Sequence, residues 1–298
     1  MSLLRWLLEP KKIISSATQK RKAVRPPTDT RIRLKGTPYL LPKDTLEDNR
    51  LDYQHYVLFL AIGDHYLAPI PQNPERILDV GTGTGIWAIE MARKFSQARV
   101  VGVDIGVSSF KKEPPENCKF EFGNVIERLP FPDQTFDYTH QRFLIAAVPA
   151  PRWPGVIHEL VRVTNPGGWI ELLEINNIFQ NAGPETTSLN EWIIAVSKSL
   201  GFDNSVVPNI ETWLKQEGLQ FVERQDIVVP LGDWGGRAGM LLKKDLLAGF
   251  DATKTIFCGK TNTPIEEFDR RLALVAAEWE EYHTSFTFHA FYGKRVAQ

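Results

Sequence analysis

The sequence predicts a doubly wound α/β fold, in which a mostly parallel sheet of seven strands, one of them antiparallel, has helices on both faces. Three observations predict it. Strand-like and helix-like segments alternate between residues 75 and 175, as expected for parallel strands joined by crossover helices. A glycine-rich turn, Gly81 to Gly85, follows the first of these strands. After Ile175 the pattern changes to amphipathic segments rich in large apolar residues, and two further strands complete the sheet.

The elements of the first part can be placed from their apolar residues. A helix is predicted over residues 48–68, because its large apolar side chains fall near helical spacing and Pro69 ends the pattern. The alternating series follows, with strands at Arg76–Val80, Arg99–Asp104, Lys119–Phe122, Phe136–His140 and Trp169–Ile175, and helices from Ile86 and near Gly155–Thr164.

The second part is predicted to contribute helices and the closing strands. Two helices, Thr187–Leu200 and Ile210–Glu217, are each followed by a glycine that can end them. Thr263 before a proline predicts the N-cap of a longer helix with one apolar face. Ser285–Tyr292 alternates in polarity and is predicted to pair antiparallel with a strand over Gly218–Val229.

The charge distribution separates a basic arm, residues 1–45, from a domain that spans 46–298. The first 36 residues contain ten Lys and Arg but only two acids, whereas the whole chain has a net charge of -1, so the body is acidic. An acidic body argues against a nucleic-acid surface, and we expect a small molecule or a protein as substrate. Three interpretations of the arm stay open: a nuclear signal at Lys20-Arg21-Lys22, a mitochondrial transit peptide over residues 1–25, and a flexible tail without an address.

Membrane insertion and metal binding are not expected. No run approaches the roughly 18 consecutive apolar residues of a membrane-spanning helix. Cys118 and Cys258 are too few for a disulfide framework and do not form a zinc pattern, so a reducing compartment such as the cytoplasm and no structural metal are expected.

The glycine turn and two aspartates predict a site for a nucleoside-containing cofactor. Gly81, Gly83 and Gly85 allow a ligand to approach the backbone, because no Cβ is in the way. Asp104 ends the second strand, where an acid can accept hydrogen bonds from ribose hydroxyls. Asp79 stands directly before the turn, where it would repel a pyrophosphate but attract an ammonium group. The spacing therefore favours a cofactor with an amino-acid end over a dinucleotide and argues against a nicotinamide dehydrogenase.

A longer series of motifs gives a family resemblance. LDVGTGTG (78–85) and VVGVD (100–104) resemble the first two motifs of class I S-adenosylmethionine-dependent methyltransferases, which have a Rossmann-like fold. Similarity continues through EFGNV (121–125), LPFPDQTFDYTHQR (129–142) and NPGGWIELLE (165–174), so that residues 75–175 form the core and 176–298 the acceptor-side helical insertions and closing strands. A narrower similarity, to LaeA-type fungal methyltransferases of secondary metabolism, is carried by NRLDYQH (49–55), GTGIWAIE (83–90) and VVPLGDW (228–234).

The resemblance implies S-adenosyl-L-methionine as cofactor and a role for each matching residue. Asp79 and the glycines would hold the methionine end and Asp104 the ribose. Asn124 and Val125 would contact adenine, although the family commonly has an acid where this chain has Asn124. Gln141 and Arg142 would border the reacting methyl group.

The sequence offers candidates for a catalytic base and for substrate contacts, but no motif for either. No acid or base is obligatory, and His140 and His55 are the candidates for a base, against the simpler interpretation that both are packing residues. Glu174 is preferred to Glu171 as a substrate contact, because it lies nearer the carboxyl end of its strand. The tryptophans at 192, 213, 234 and 279 are interpreted mainly as core residues.

Three hypotheses about function follow. The first is methyl transfer to a small, partly apolar metabolite of secondary metabolism. The second is a regulator that binds the cofactor and acts through protein partners. The third is a cofactor-binding fold that catalyses a different reaction, for which Asn124 is the only indication.

Overall fold

The computed structural model describes residues 40–106 and 113–296, and its centre is a seven-stranded sheet in the order β3-β2-β1-β4-β5-β7-β6. Strands β1 to β5 are parallel, and β7 lies antiparallel between β5 and β6. The predicted fold class is therefore confirmed. The strands are β1 Arg76–Val80, β2 Arg99–Asp104, β3 Cys118–Phe122, β4 Phe136–Arg142, β5 Thr164–Gln180, β6 Gln220–Pro230 and β7 Ser285–Lys294.

Helices cover both faces of this sheet. Successive residues of β1 face opposite sides, so that Ile77 packs with Trp87 and Met91 while Leu78 packs with Trp153. A third apolar cluster lies under the helices of the second part of the chain. The helices are α1 Thr45–Ile62, α2 Ile86–Lys94, α3 Trp153–Val163, α4 Pro184–Ser199, α5 Ile210–Gln216, α6 Gly236–Thr261 and α7 Ile265–Glu281.

Helix α1 begins and ends at recognisable caps. The side chain of Asp44 accepts hydrogen bonds from the backbone N–H groups of Leu46 and Glu47, at 3.1 and 3.0 Å. At the other end Gly63 adopts φ 79° and donates its N–H to the carbonyl of Phe59. The predicted helix over residues 48–68 therefore starts three residues earlier and ends six residues sooner.

Other boundaries also differ from the predictions. Strand β4 runs two residues further than predicted, because Gln141 and Arg142 continue its pairing with β5. Strand β5 extends to Gln180 along β7. Thr263 does not cap α7: the N-cap is Pro264, and the Thr263 hydroxyl lies 2.8 Å from that of Thr261.

The described ranges contain no helix that is long and apolar enough to cross a bilayer. The basic arm predicted over residues 1–45, with its three alternative interpretations, lies almost entirely outside the described residues.

Candidate active site

A cavity of about 1060 Å³, including space open to solvent, lies at the carboxyl ends of the parallel strands. Ligands of open α/β sheets bind at this edge, because the loops that leave the strands diverge there. The walls come from the turn after β1, the end of β2, the segment after β3 and the segment after β4, and α1 covers the cavity. Six of the nine predicted cofactor residues line it: Gly81, Gly83, Asp104, Asn124, Val125 and Arg142.

The glycine turn is held against β2 and closed by the segment after β4. The backbone N–H groups of Gly81 and Thr82 both donate to the carbonyl of Val103, at 2.8 and 3.1 Å. Gly81 has φ 71°, and a Cβ there would lie 2.6 Å from Cδ2 of Leu144, which itself lines the cavity. Only glycine satisfies both the backbone conformation and this close approach. Gly85 lies outside the cavity lining and is the N-cap of α2, with φ 78°.

Asp104 is fixed by two backbone groups. Its Oδ2 accepts from the N–H of Gly83 at 3.0 Å, and its Oδ1 accepts from the N–H of Gly106 at 2.8 Å. The carboxylate is half-buried at the cavity edge. Because a carboxylate can accept about four hydrogen bonds, it retains capacity for the hydroxyls of a ribose.

Asp79 lies beneath the turn rather than in the cavity lining. Its side chain is almost fully buried, with Oδ1 2.9 Å from Nδ1 of His140 and Oδ2 accepting from the hydroxyl of Thr82 at 2.6 Å. The His140 ring stacks on Trp87, with centroids 3.8 Å apart. The structure therefore places Asp79 behind Thr82, which does line the cavity, and places His140 one layer deeper.

Neither predicted histidine base reaches the cavity wall. His140 is 2% exposed and committed to Asp79 and Trp87. His55 is also 2% exposed and stacks on His65, and its Nδ1 lies 3.3 Å from a guanidinium nitrogen of Arg142. The geometry supports the simpler interpretation of both as packing and positioning residues.

The end of β4 is supported from behind by Glu174. This carboxyl group is fully buried and accepts from the backbone N–H groups of Leu144 and Ile145, at 2.8 and 3.2 Å, and from the side chain of Gln141. Burial raises the pKa of Glu174 to about 8. Gln141 is also fully buried, so neither it nor Glu174 lies where a ligand would contact it. Their position shapes the segment that packs against Gly81.

Glu171, the other carboxylate considered on β5, supports a different segment. It accepts from the backbone N–H groups of Leu67 and Ala68, at 2.9 and 2.7 Å. Burial raises its pKa above the ordinary value. Glu171 thus anchors the chain after α1 and does not line the cavity.

Asn124 and Val125 follow β3 on the far side of the cavity. The Oδ1 of Asn124 accepts from the N–H of Ile126 at 3.1 Å, which fixes the local turn. Val125 is 8% exposed and presents an apolar surface to the cavity. An apolar wall beside a side-chain amide suits a heteroaromatic ring with polar edges.

A second cavity of about 830 Å³, including space open to solvent, adjoins the first and shares Leu41, Arg50 and Gln54 with it; we call it the acceptor chamber. Its walls are mainly apolar and come from β5, α4, α6 and β7. The large apolar residues that line it are Leu40, Ile145, Ile175, Phe179, Ile193, Phe202, Leu246, Phe250, Phe257 and Phe286.

A buried polar cluster lies where the two cavities meet, and the sequence analysis missed it. Arg50 of α1 forms an ion pair with Glu47 at 2.7 Å and another with Asp245 of α6 at 2.7 Å. Burial raises the pKa of Asp245 to about 6; Arg50 opposes this rise and Glu47 adds to it. One feature of the sequence indicates a buried acid here: Asp245 lies on the apolar face of its helix, next to Leu246 and three residues after the buried Leu242.

The tryptophans of the second part of the chain lie apart from both cavities. Trp192 and Trp279 are buried in the apolar core, as predicted, and Trp213 is partly buried. Trp234 is 39% exposed and contacts His283. Across residues 40–106 and 113–296, acidic, histidine and cysteine side chains form no group that could hold a metal ion.

Comparisons with known proteins identify a methyltransferase domain in this chain. A family model described as a methyltransferase domain matches residues 77–168, which contain the glycine turn, strands β2 to β4 and β1 from Ile77 onwards. Methyltransferase pytC of Aspergillus terreus is 29% identical over 238 residues, covering 74% of this chain and 71% of that protein. N-methyltransferase gliN of Aspergillus fumigatus is 26% identical over 273 residues, covering 86% and 96%.

Two further similarities are to a LaeA homologue and to a solved methyltransferase structure. The secondary metabolism regulator LAE1 of Cochliobolus heterostrophus is 37% identical over 144 residues, which is 46% of each chain. Phosphoethanolamine N-methyltransferase 2 of Haemonchus contortus, solved with S-adenosyl-L-methionine, has a TM-score of 0.50 and 15% identity, covers 84% of this chain and 53% of its own, and supports the fold alone.

The motifs, the sheet order, the glycine-walled cavity and the matching domain agree with one another. The protein is therefore an S-adenosylmethionine-dependent methyltransferase, with S-adenosyl-L-methionine as its cofactor. It is similar to fungal methyltransferases of secondary metabolism and to the LaeA homologues.

Proposed function

We propose that this enzyme methylates a small, partly apolar metabolite of fungal secondary metabolism. The observation that carries the proposal is the pair of adjoining cavities, one walled by the glycine turn and polar groups and the other mainly by apolar side chains. Because they share Leu41, Arg50 and Gln54, an acceptor in the second cavity can present its reacting atom to the first.

The residues of the first cavity fit the chemistry of the cofactor. Gly81 and Gly83 bring bare backbone to the ligand, and Asp104 keeps acceptor capacity for ribose hydroxyls. Asn124 and Val125 would contact the adenine ring, and Arg142 would border the reacting region. When bound, S-adenosyl-L-methionine supplies a methyl group on a positively charged sulfur, which is already electrophilic.

The chain's own contribution is alignment and the exclusion of water. Alignment of two reactants can lower a barrier by about 7–11 kcal/mol, so no acid or base is required in principle. Helix α1 covers the cofactor cavity, and Leu51 approaches the Cβ position of Gly83 to 3.2 Å. The hydroxyl of Thr84 donates to Asp52 of α1 at 3.0 Å, which ties this cover to the glycine turn.

The acceptor chamber favours a ligand with an aromatic or alicyclic body. Phe179, Phe250 and Phe286 present apolar surface to it, and such walls favour binding in proportion to the apolar area they remove from water. A nitrogen acceptor is one candidate, since gliN is by its name an N-methyltransferase.

The proposal is tested by incubating the purified protein with methyl-labelled S-adenosyl-L-methionine and an extract of fungal metabolites. Mass spectrometry should detect a product heavier by one labelled methyl group, and calorimetry should detect binding of S-adenosylhomocysteine. Folded protein that binds no S-adenosylhomocysteine and labels no metabolite would refute the proposal.

A second hypothesis is a regulator that binds the cofactor and acts through protein partners, which the similarity to LAE1 favours. If it is right, removal of residues 1–36, which hold the basic residues of the arm, should abolish capture of partner proteins. S-adenosylhomocysteine affinity should be unchanged, because Leu41 and Lys43 of the cofactor cavity and the Asp44 cap of α1 are kept. Labelling of a small metabolite that is independent of residues 1–36 would favour the first hypothesis.

A further inference from the structure

The polar cluster between the two cavities contains two carboxylates for one guanidinium. Arg50 donates from Nε and Nη2 to the two oxygens of Glu47, at 2.9 and 2.7 Å. Its remaining nitrogen, Nη1, donates to Oδ1 of Asp245 at 2.7 Å. Gln54 donates to Oδ2 of Asp245 over 3.4 Å, a long hydrogen bond. Among residues 40–106 and 113–296, Glu47 therefore takes the bidentate contact, and each oxygen of Asp245 has a single donor.

The two carboxylates face different cavities. Glu47 lines the cofactor cavity and Asp245 lines the acceptor chamber, while Arg50 and Gln54 line both. Asp245 is 1% exposed, and the side chains around it in the chamber are mostly leucine, isoleucine and phenylalanine. Burying a polar ligand group in such surroundings without a hydrogen-bond partner costs free energy. The polar end of an acceptor therefore binds most favourably next to Asp245.

We infer that Asp245 recognises the acceptor: its carboxylate accepts a hydrogen bond from the O–H or N–H group that is to be methylated, and its charge repels acceptors that carry a carboxylate. The inference rests on the proposed function, because it concerns the substrate of that site. A carboxylate accepts about four hydrogen bonds, and in the part of the chain that the structure describes Arg50 and Gln54 use two of these positions on Asp245. A hydrogen bond to this buried, charged group should improve affinity by at least about tenfold.

The charges near Asp245 set the pH at which this recognition operates. Arg50 and Glu47 face it from α1, and Arg142 at the end of β4 interacts with it electrostatically. Since burial raises the pKa of Asp245 to about 6, the group is charged at pH 7.5 and largely protonated below pH 6. Preference for hydrogen-bond donors should therefore be lost as the pH falls through about 6.

Three naphthalene derivatives provide probes with one apolar body and different polar ends. 2-Naphthol has an O–H group, 2-methoxynaphthalene replaces it with a methyl ether, and 2-naphthoate carries a carboxylate. Calorimetry is performed at pH 7.5 with protein saturated with S-adenosylhomocysteine. Wild type should bind 2-naphthol at least about tenfold more tightly than the ether and should reject 2-naphthoate. In Asp245→Asn the preference should fall to about twofold or less and 2-naphthoate should gain affinity, whereas Asp245→Glu should keep the preference.

The outcomes separate this inference from the proposed function. Wild type that fails to bind S-adenosylhomocysteine would contradict the proposed function. Wild type that binds it but binds 2-naphthol no better than the ether, or not at all, would overturn only the role of Asp245. If Asp245→Asn does not fold, the same comparison in wild type between pH 5.5 and 7.5 decides, because a residue that merely ties α1 to α6 would leave the preference unchanged with pH.

Discussion

The Nδ1 atom of His140 lies 2.9 Å from Oδ1 of Asp79, and both residues are 2% exposed. The other oxygen of Asp79 accepts from the hydroxyl of Thr82 in the glycine turn. His140, packed on Trp87, thus holds the carboxylate that in turn holds the wall of the cofactor cavity. His140, which the sequence suggested as a base, therefore lies behind Asp79 and supports the cavity wall at Thr82.

His140→Ala should therefore destabilise the protein rather than remove a catalytic proton transfer. Loss of the buried partner of Asp79 should lower the free energy of unfolding by about 3 kcal/mol, measured by urea denaturation. The matched control is His158→Ala, whose side chain is 66% exposed and which should change stability by less than about 0.5 kcal/mol. A variant of normal stability whose activity loses a pH-dependent limb would instead identify His140 as a base.

Gly81→Ala should weaken S-adenosylhomocysteine binding. The new Cβ would lie 2.6 Å from Cδ2 of Leu144, so this side chain must move within the cavity that it lines. Overpacking costs about 1–3 kcal/mol, and a cost of this size at the ligand site corresponds to a loss of roughly fivefold or more in affinity. Gly63→Ala is the control, since Gly63 has φ 79° but nothing within 4 Å of its Cβ position. Both substitutions should cost about 1–2 kcal/mol of stability for the left-handed backbone, and equal loss of affinity in both would contradict the role of Gly81.

Gly249→Leu should obstruct the acceptor chamber without disturbing the cofactor. Gly249 lines the chamber on α6, and its Cβ position meets only the Cδ of Arg50, at 3.8 Å, so a longer side chain has room to enter the space. Turnover of the metabolite, as kcat/KM, should fall at least about tenfold, which equals about 1.4 kcal/mol. Affinity for S-adenosylhomocysteine should be unchanged.

Gly259→Leu is the matched control for that substitution. It lies on the exposed side of the same helix with nothing within 4 Å of its Cβ position. Both variants should gain about 0.5–1 kcal/mol of stability, because leucine is a better helix former than glycine. Normal turnover in Gly249→Leu would show that the acceptor binds elsewhere.

Glu174→Gln should change how stability depends on pH. An unfolded glutamate ionises near pH 4.3, whereas burial raises the pKa of Glu174 to about 8 in the fold, so wild type loses stability as the pH rises between these values. The glutamine variant cannot ionise at this position, and its stability relative to wild type should rise by about 2–4 kcal/mol from pH 5 to pH 8. The comparison is made by denaturant unfolding at several pH values, with the exposed Glu281→Gln as control. A constant difference across that range would contradict the raised pKa.

The fold was predictable where the pattern is local. Strands β1 and β2 have the predicted bounds, because each is a short apolar run between clear turn signals. The end of β4 and the length of β5 were not predictable, since pairing with neighbouring strands extends both beyond their apolar residues. The Thr263 cap was wrong because Pro264, with extended backbone, precedes the first helical residue.

The candidate site was predictable where residues follow strand ends. Gly81, Gly83, Asp104, Asn124, Val125 and Arg142 line the cavity as the motif order indicates. Gln141 was misplaced because alternation along a strand turns consecutive side chains to opposite faces, and it faces Glu174. The cluster of Glu47, Arg50 and Asp245 was missed because Asp245 lies 195 positions after Arg50 and meets the other two residues when α1 packs on α6.

The sequence by itself determined the order of strands and helices, the glycine turn and the acid that follows the second strand, since each depends on neighbours within a few residues. Tertiary structure alone decided which polar groups face a ligand and which lie behind the wall. The reason is that burial and partners distant in sequence determine what each polar group contacts. Glu174, for example, could bind a ligand at a surface, but in the folded chain it accepts hydrogen bonds from backbone N–H groups instead.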